Sequence, residues 1–396
     1  MRSLAVYTEE MDDLDEGIKS LRRKMDGFEL AKNTMGIVFT HPDTDFGELA
    51  QKLQEEFHFP VLGASAMSMF TEEKGFVTEG ISLHVFTADD CSFVAGFTGE
   101  MTENDYKLKI KAAYDALAEQ LEDEPKVIIA YGVKNPLVAG DEYVNYLDKI
   151  SGGLPVFGGF SSDNFLFTDC RIIVNEQVSA TGMGIMLIGG RTKPVLKGKF
   201  SVDTNVGFEE TVTKAQGNVV YKLGHRTLVD AVKAAGVDLD SDNLLSKFVG
   251  APFLVKYTMP NGDKVQVMRH LESINREDGS GTFLGIVPEG ATVKIAMVSR
   301  KEVSESVTLA IESAIRDVAA EKDYEYSSAI ITSCASRLML FSNDIVDETK
   351  GYSSIIPDTI RFSGMYSFGE FCPVIAENSD NYYNCFHNTT FAFIVL

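Results

Sequence analysis

The sequence predicts a mixed α/β fold, drawn as two similar modules of mixed sheets flanked by helices. Three observations predict it. A unit of strand, helix, strand and glycine recurs along the chain, the segments after each glycine alternate apolar and polar residues, and two longer stretches repeat apolar residues at helical spacing. Helical crossovers join parallel strands and meanders join antiparallel ones, so both pairings are expected in each module.

The first 30 residues read as a strand and a helix leading into the first domain. In the first copy of the unit, an apolar strand at 35–40 precedes a helix over 45–57, and Phe59-Pro60-Val61-Leu62 then runs into Gly63-Ala64-Ser65-Ala66. Residues 75–86 follow with a period of two, Ile81, Leu83 and Val85 alternating with Ser82 and His84. A helix over 106–121 shows Tyr106, Ile110, Tyr114, Leu117 and Leu121 on one face. The second copy has its strand at 127–131, its helix over 141–150, and Leu154-Pro155-Val156-Phe157 entering Gly158-Gly159-Phe160-Ser161-Ser162. Segments 59–66 and 155–162 are therefore read as equivalent, and 172–188 is read as partly alternating strand.

A break is placed near Gly224, after the strand-like 217–223, giving domains 31–224 and 225–396. Beyond it, the helical pattern 228–235 precedes a faint copy at Phe248-Val249-Gly250-Ala251. A helix over 303–320 carries Val303, Val307, Ile311, Ala314 and Val318 on one face. The late copy runs from a strand at 329–332 through Ile360-Arg361-Phe362 to Ser363-Gly364-Met365-Tyr366-Ser367, and an alternating segment closes the chain at 386–396.

Composition narrows the function. Thirty-six Lys and Arg face 58 Asp and Glu, a net charge of −22, which disfavours a nucleic-acid partner because phosphate neutralisation needs clustered cations. The densest basic cluster, Lys19 to Lys24 with Arg22 and Arg23, reads as a solvated helix face. No apolar run approaches the roughly 18–20 residues of a membrane span, and the opening residues turn acidic before a signal-peptide core could form. A cytoplasmic protein without membrane insertion is expected. Cys91, Cys170, Cys334, Cys372 and Cys385 form no C-x-x-C pair and read as reduced thiols. The six histidines show no metal-binding spacing, so no metal and no cofactor is expected. Neither G-x-G-x-x-G opening a helix nor G-x-x-x-x-G-K-[ST] occurs, which removes dinucleotide and nucleoside triphosphate sites.

The last seventy residues concentrate polar groups at predicted strand ends. Ser333-Cys334-Ala335-Ser336-Arg337, Tyr366-Ser367-Phe368-Gly369-Glu370 and Cys385-Phe386-His387-Asn388-Thr389-Thr390 should gather at one rim of a sheet. A guanidinium fork holds a carboxylate by two parallel hydrogen bonds. The expected ligand site thus comprises Arg337, Glu370, Gly364, Tyr366 and His387, with Gly364 admitting ligand to the backbone, Tyr366 as an aromatic wall, and Arg337 with Glu370 holding a zwitterion. An internal Arg337–Glu370 pair and a plain tight turn at the glycines are the structural alternatives. Cys334 with His387 offers a thiol-hydrolase alternative, although no orienting third residue is identifiable, and no enzyme is expected.

These residues resemble the FIST sensory domain family, built from an N-terminal and a C-terminal FIST domain, over nearly the whole chain. The N-terminal hallmark is similar to Pro155-Val156-Phe157-Gly158-Gly159-Phe160-Ser161-Ser162-Asp163, with 212–220 downstream. The C-terminal hallmarks are similar to Gly285-Ile286-Val287-Pro288-Glu289-Gly290 and to 333–337, 366–370 and 386–390. Ser336 stands where the family usually has glycine, and Gly364-Met365-Tyr366 where it has Gly-Phe-Tyr. The resemblance implies intracellular sensing of small ligands, with amino acids proposed, coupled to histidine kinases, diguanylate cyclases or chemoreceptors. With the FIST region taking nearly all of the sequence, output is expected through a separate partner. Some members bind haem and sense nitric oxide; here an axial ligand would have to come from His41, His58, His84, His225, His270 or His387.

Overall fold

Alternating side chains set the layers. In the strand Asn33–Thr40, Met35, Ile37 and Phe39 face one buried cluster and Val38 another. Pro125–Gly132 divides in the same way, with Val127, Ile129 and Tyr131 on the inner side and Ile128 and Ala130 on the outer, as does Ser328–Cys334, with Ile330 inside and Ala329 and Ile331 outside. Strands apolar on both faces must be covered on both faces. In this computed structural model, which describes every residue except 201–207, 240–250, 297, 342–347, 349–351 and 353, the inner faces of three sheets share one core and helices cover the outside.

The three six-stranded mixed sheets are built alike. In each, a central strand runs parallel to the strand that follows its crossover helix. The pairs are Asn33–Thr40 with Val61–Ser65, Pro125–Gly132 with Val156–Phe160, and Ser328–Cys334 with Arg361–Ser367. On the other side of the central strand lies an antiparallel strand that closes the copy: Ile81–Ala88, Met183–Gly190 or Thr390–Val395. Beyond it lies the strand that opens the copy: Arg2–Thr8, Cys91–Phe97 or Val195–Phe200. The remaining two strands form a hairpin that each copy contributes to a different sheet. Met69–Thr71 and Gly75–Val77 pair onto Arg361–Ser367 of the third copy. Ile172–Val174 and Gln177–Ser179 pair onto Val61–Ser65 of the first. Glu370–Ile375 and Tyr382–His387 pair onto Val156–Phe160 of the second. The exchange closes a ring.

The mixed α/β class read from the sequence is the observed one, but where the sequence draws two modules the pairing describes three copies and an insertion. The insertion is an eight-stranded antiparallel sheet whose strands run from Glu209–Gln216 to Thr292–Ile295. It lies between the opening strand of the third copy and that copy's helix, Arg300–Ala320. The boundary at 224/225 falls in the turn joining Val219–Leu223 to Arg226–Thr227, which pair with each other. The long insertion separates the third opening strand from its sheet partners in sequence, so a local reading shows the late copy's strands and glycine but not the opening strand that belongs to it. The faint copy at 248–251 lies outside the described residues except for Ala251.

Local signals account for the helix ends. Asp45 caps Phe46–Phe57 by accepting the Glu48 amide, and His58 ends the helix in the left-handed region at φ 56°. Ser299 and Glu302 form a capping box on Arg300–Ala320. The basic residues of Leu14–Lys24 lie outward, with Arg22 beside Glu56 and Arg23 beside Glu16.

Gly63, Gly158 and Gly364 occupy one register, opposite Val38, Ala130 and Ile331 across the parallel pairs. A Cβ on any of the three would overlap the carbonyl oxygen of that opposing residue, and Gly158 also has φ +134°. The glycines therefore allow two parallel strands to approach each other closely. Gly364 faces Ile331, a correction to its expected role of admitting ligand.

Candidate ligand-binding site

Strand Ser328–Cys334 leads straight into the short helix Ala335–Phe341, which carries Arg337 inward to full burial. Every part of its guanidinium is engaged. Nε donates to Glu348 Oε1 at 3.0 Å, and Nη2 reaches the same carboxylate at 3.0 Å and the Val303 carbonyl at 3.0 Å. Nη1 donates to Ser306 Oγ at 3.1 Å and to the Thr389 carbonyl at 3.5 Å. The fork also lies over the Phe391 ring, 5.8 Å from its centroid. Glu348 in turn accepts from Ser333 Oγ at 3.2 Å and from the Tyr366 hydroxyl. Burial, then the Glu348 charge, pushes the Tyr366 phenol well above its usual range, which keeps it a donor.

The internal Arg337–Glu370 pair, the structural alternative to a shared ligand, is not the one formed: Arg337 pairs with Glu348. Glu370 lies within the field of Arg337 but bonds elsewhere: it accepts from Ser367 Oγ at 2.6 Å and from the Thr390 amide at 3.3 Å. Burial raises its carboxyl to about 8, despite those hydrogen bonds. The sequence reading missed Glu348, because a crowd of acidic residues at 344, 347 and 348 gives no local reason to single one out.

Cys334 and His387 are not joined by a hydrogen bond. Cys334 accepts from Ser336 Oγ at 3.1 Å, and burial followed by the charge of Glu370 pushes its thiol up to about 12, far from a thiolate nucleophile. His387 Nε2 donates to the Cys372 carbonyl at 2.8 Å, which leaves the buried Nδ1 without a partner among the described residues. Burial lowers this imidazole to about 4, so it is neutral at physiological pH. This geometry does not support the thiol-hydrolase alternative.

Of the five expected site residues, Arg337, Glu370, Tyr366 and His387 are fully buried in one region and Gly364 is turned against its neighbouring strand. Arg337 and Tyr366 meet on Glu348, while Glu370 and His387 face each other in register across an antiparallel pair. The other histidines are dispersed: His84 bridges Ser363 and Ser328 in the core, His270 bonds Thr389, His41 adjoins Asp43, and His58 and His225 are exposed. Among the described residues no cluster of His, Cys, Asp and Glu could hold a metal ion, and no helix is long and apolar enough to cross a membrane.

The motif segments that meet at this site decide the family. A model of the FIST N domain matches residues 34–226, and one of the FIST C domain matches 227–373. The chain belongs to the FIST family. FIST domains serve sensory signal transduction. No characterised protein matches the chain closely enough to add a relative. In this FIST protein the hallmarks of the two domains interlock. Phe160 donates its amide to the Gly369 carbonyl at 2.9 Å, Phe368 donates back to Phe160 at 3.2 Å, and Ser162 Oγ donates to the Tyr366 carbonyl at 2.6 Å. Asp163 completes the N-domain hallmark by accepting four amides, those of Leu166, Phe167, Thr168 and Asp169.

Glu370 gives the site a pH signature. Its folded value near 8 lies above the unfolded value, near 4.3 for Glu, so between these limits only the folded state holds the proton. The stabilising contribution is complete below the unfolded value and is lost as pH rises through the folded one. Melting curves of Glu370→Gln, whose amide mimics the protonated acid, should therefore lack a decline that the unaltered protein shows between about pH 4.5 and 8. Parallel curves for the two proteins would mean that Glu370 is ionised throughout.

Proposed function

We propose that this FIST protein senses a small carboxylate-bearing metabolite, amino-acid-like or otherwise polar, inside the cell. The metabolite's carboxylate takes the place of Glu348 on Arg337, and the change passes to a separate signalling partner such as a histidine kinase or cyclase. The observation that carries this reading is that the Arg337 fork already holds a carboxylate, supplied from eleven residues away in the same chain. A buried guanidinium whose Nε and Nη2 converge on one carboxylate oxygen, with the Tyr366 hydroxyl donating to the other, recognises any carboxylate that can reach it. An internal carboxylate on such a fork competes with ligand, so affinity reflects the difference between the two pairs.

Thermal melting with L-glutamate, L-alanine and succinate as probes tests this, each variant being compared with its own unliganded state. A probe at about a hundred times its dissociation constant stabilises by about 2.7 kcal/mol. Glu348→Gln removes the competitor and should enlarge the shift, and Arg337→Lys should abolish it. Equal shifts in Glu348→Gln and the unaltered protein, or no shift in either, would remove the exchange.

A further inference from the structure

Each of the three opening strands is an edge of its sheet, and two of the three edges are blocked. On Arg2–Thr8, side chains occupy the backbone of Tyr7: Glu73 accepts its amide at 3.1 Å and Lys24 Nζ donates to its carbonyl at 2.6 Å. Val195–Phe200 carries Lys197 and Lys199, and charge on an edge resists the addition of another strand. Cys91–Phe97 has neither device. Its sequence, Cys-Ser-Phe-Val-Ala-Gly-Phe, holds no charge and no proline, it pairs with Met183–Gly190 without a shift of register, and residues 93–97 are all half-buried.

The backbone bonds of this strand can be followed residue by residue. The Thr98 amide donates to the Met183 carbonyl at 3.0 Å, one step beyond the Phe97–Gly184 pair and in the same register. Bonded positions alternate along an antiparallel pair, so Ser92, Val94 and Gly96 bond toward Met183–Gly190, while Phe93, Ala95 and Phe97 turn their amides and carbonyls outward. Among the described residues none of these outward groups has a partner, whereas the Cys91 carbonyl, at the end of the same row, accepts from Asn33 Nδ2 at 2.8 Å. The strand completes itself when a second copy is turned end for end about a twofold axis at Ala95. Ala95 then exchanges both bonds with its own counterpart, and Phe93 exchanges both with Phe97 of the second copy, which leaves no outward group over. The side chains agree with this register. Phe93, Ala95 and Phe97 sit together at the margin of the inner core, so aromatic rings meet across the strands on either side of the axis and the smallest of the three lies on it. On the other face Val94 comes opposite Gly96. Just outside the paired stretch Asp90 comes opposite Glu100, a like-charge contact that confines pairing to the apolar segment.

We propose that Cys91–Phe97 is an interface between two copies of this chain, which join edge to edge through this strand into one continuous sheet. The pairing does not depend on exchange at Arg337.

Sedimentation velocity and amide hydrogen exchange of the full chain test it. Between about 1 and about 200 µM, the range in which a contact of micromolar affinity forms, the mass should rise from 43.5 kDa toward twice that value. Over the same range the amides of Phe93, Ala95 and Phe97 should come to exchange about tenfold more slowly once about nine-tenths of the chains are paired, while those of Val94 and Gly96 stay protected throughout. Raising NaCl from about 20 to about 500 mM should favour the dimer, because each copy carries a net charge of −22 and salt screens the repulsion. Ala95→Pro removes an outward amide without touching a bond to Met183–Gly190, a position where an edge strand accepts proline, and should leave the chain folded and monomeric. A monomer at every concentration overturns the proposal, as does a dimer whose outward amides stay unprotected or one that Ala95→Pro leaves intact. Should that variant fail to fold, exchange in the unaltered chain decides.

Discussion

Arg337→Ala is expected to lower the stability of the unliganded protein by about 3–5 kcal/mol, because it strands a buried carboxylate. Arg337 is fully buried, Glu348 nearly so, and the guanidinium also satisfies Ser306 and the carbonyls of Val303 and Thr389. Removing it leaves Glu348 charged without a cation, or protonated at the expense of its bonds to Ser333 and Tyr366. The double variant Arg337→Met with Glu348→Gln removes both charges and should recover much of the loss, since a buried pair contributes little net stability against apolar residues of similar volume. Urea denaturation of the three proteins measures this directly. An alanine variant as stable as the unaltered protein would mean that Arg337 is not held as described. The large expected loss is also why the function test uses lysine at this position.

The second large effect concerns the division between the two family domains. Residues 227–396 expressed alone should show no cooperative melting, although the FIST C model covers most of that segment. The third sheet would lack its opening strand Val195–Phe200 and its hairpin Met69–Val77, and the hairpin Glu370–His387 would have no Val156–Phe160 to pair with. The core shared by the three sheets would lose Met35, Ile37, Phe39, Val127, Ile129 and Tyr131, leaving Ile330, Met365 and Ile394 exposed. Burial of such side chains contributes roughly 1.5–3 kcal/mol each, so exposing these three alone costs about 4.5–9 kcal/mol, comparable to the 5–15 kcal/mol typical of whole proteins. Coexpressed halves 1–226 and 227–396 should copurify and melt together. A sharp transition from 227–396 alone would show that the exchanged hairpins are dispensable.

Much of the site could be read locally. The segments 333–337, 366–370 and 386–390 announce themselves as polar runs at strand ends, and the structure gathers them in one buried region. Partnership is what spacing does not show. Arg337 and Glu370 are the charged residues that the motifs present, and pairing them is the simplest assumption. Which carboxylate reaches a guanidinium depends on the path of the chain between Arg337 and Arg361–Ser367, on which spacing is silent. The glycines show the same limit: the sequence marks a position where a Cβ is unwelcome, but not whether a ligand or a neighbouring backbone excludes it.

The amino-acid sequence determined the elements, because the signals that make them are short-ranged: period-two strands, amphipathic helices, the Asp45 cap, the Ser299–Glu302 capping box and the recurring glycine. The tertiary structure alone decided how many copies form one body and which carboxylate neutralises Arg337. Hairpins handed from one copy to another leave no periodic trace, since each strand has the same alternating pattern whichever sheet receives it. Burial likewise sets the protonation of Glu370 and Cys334, and burial is a property of the assembled core.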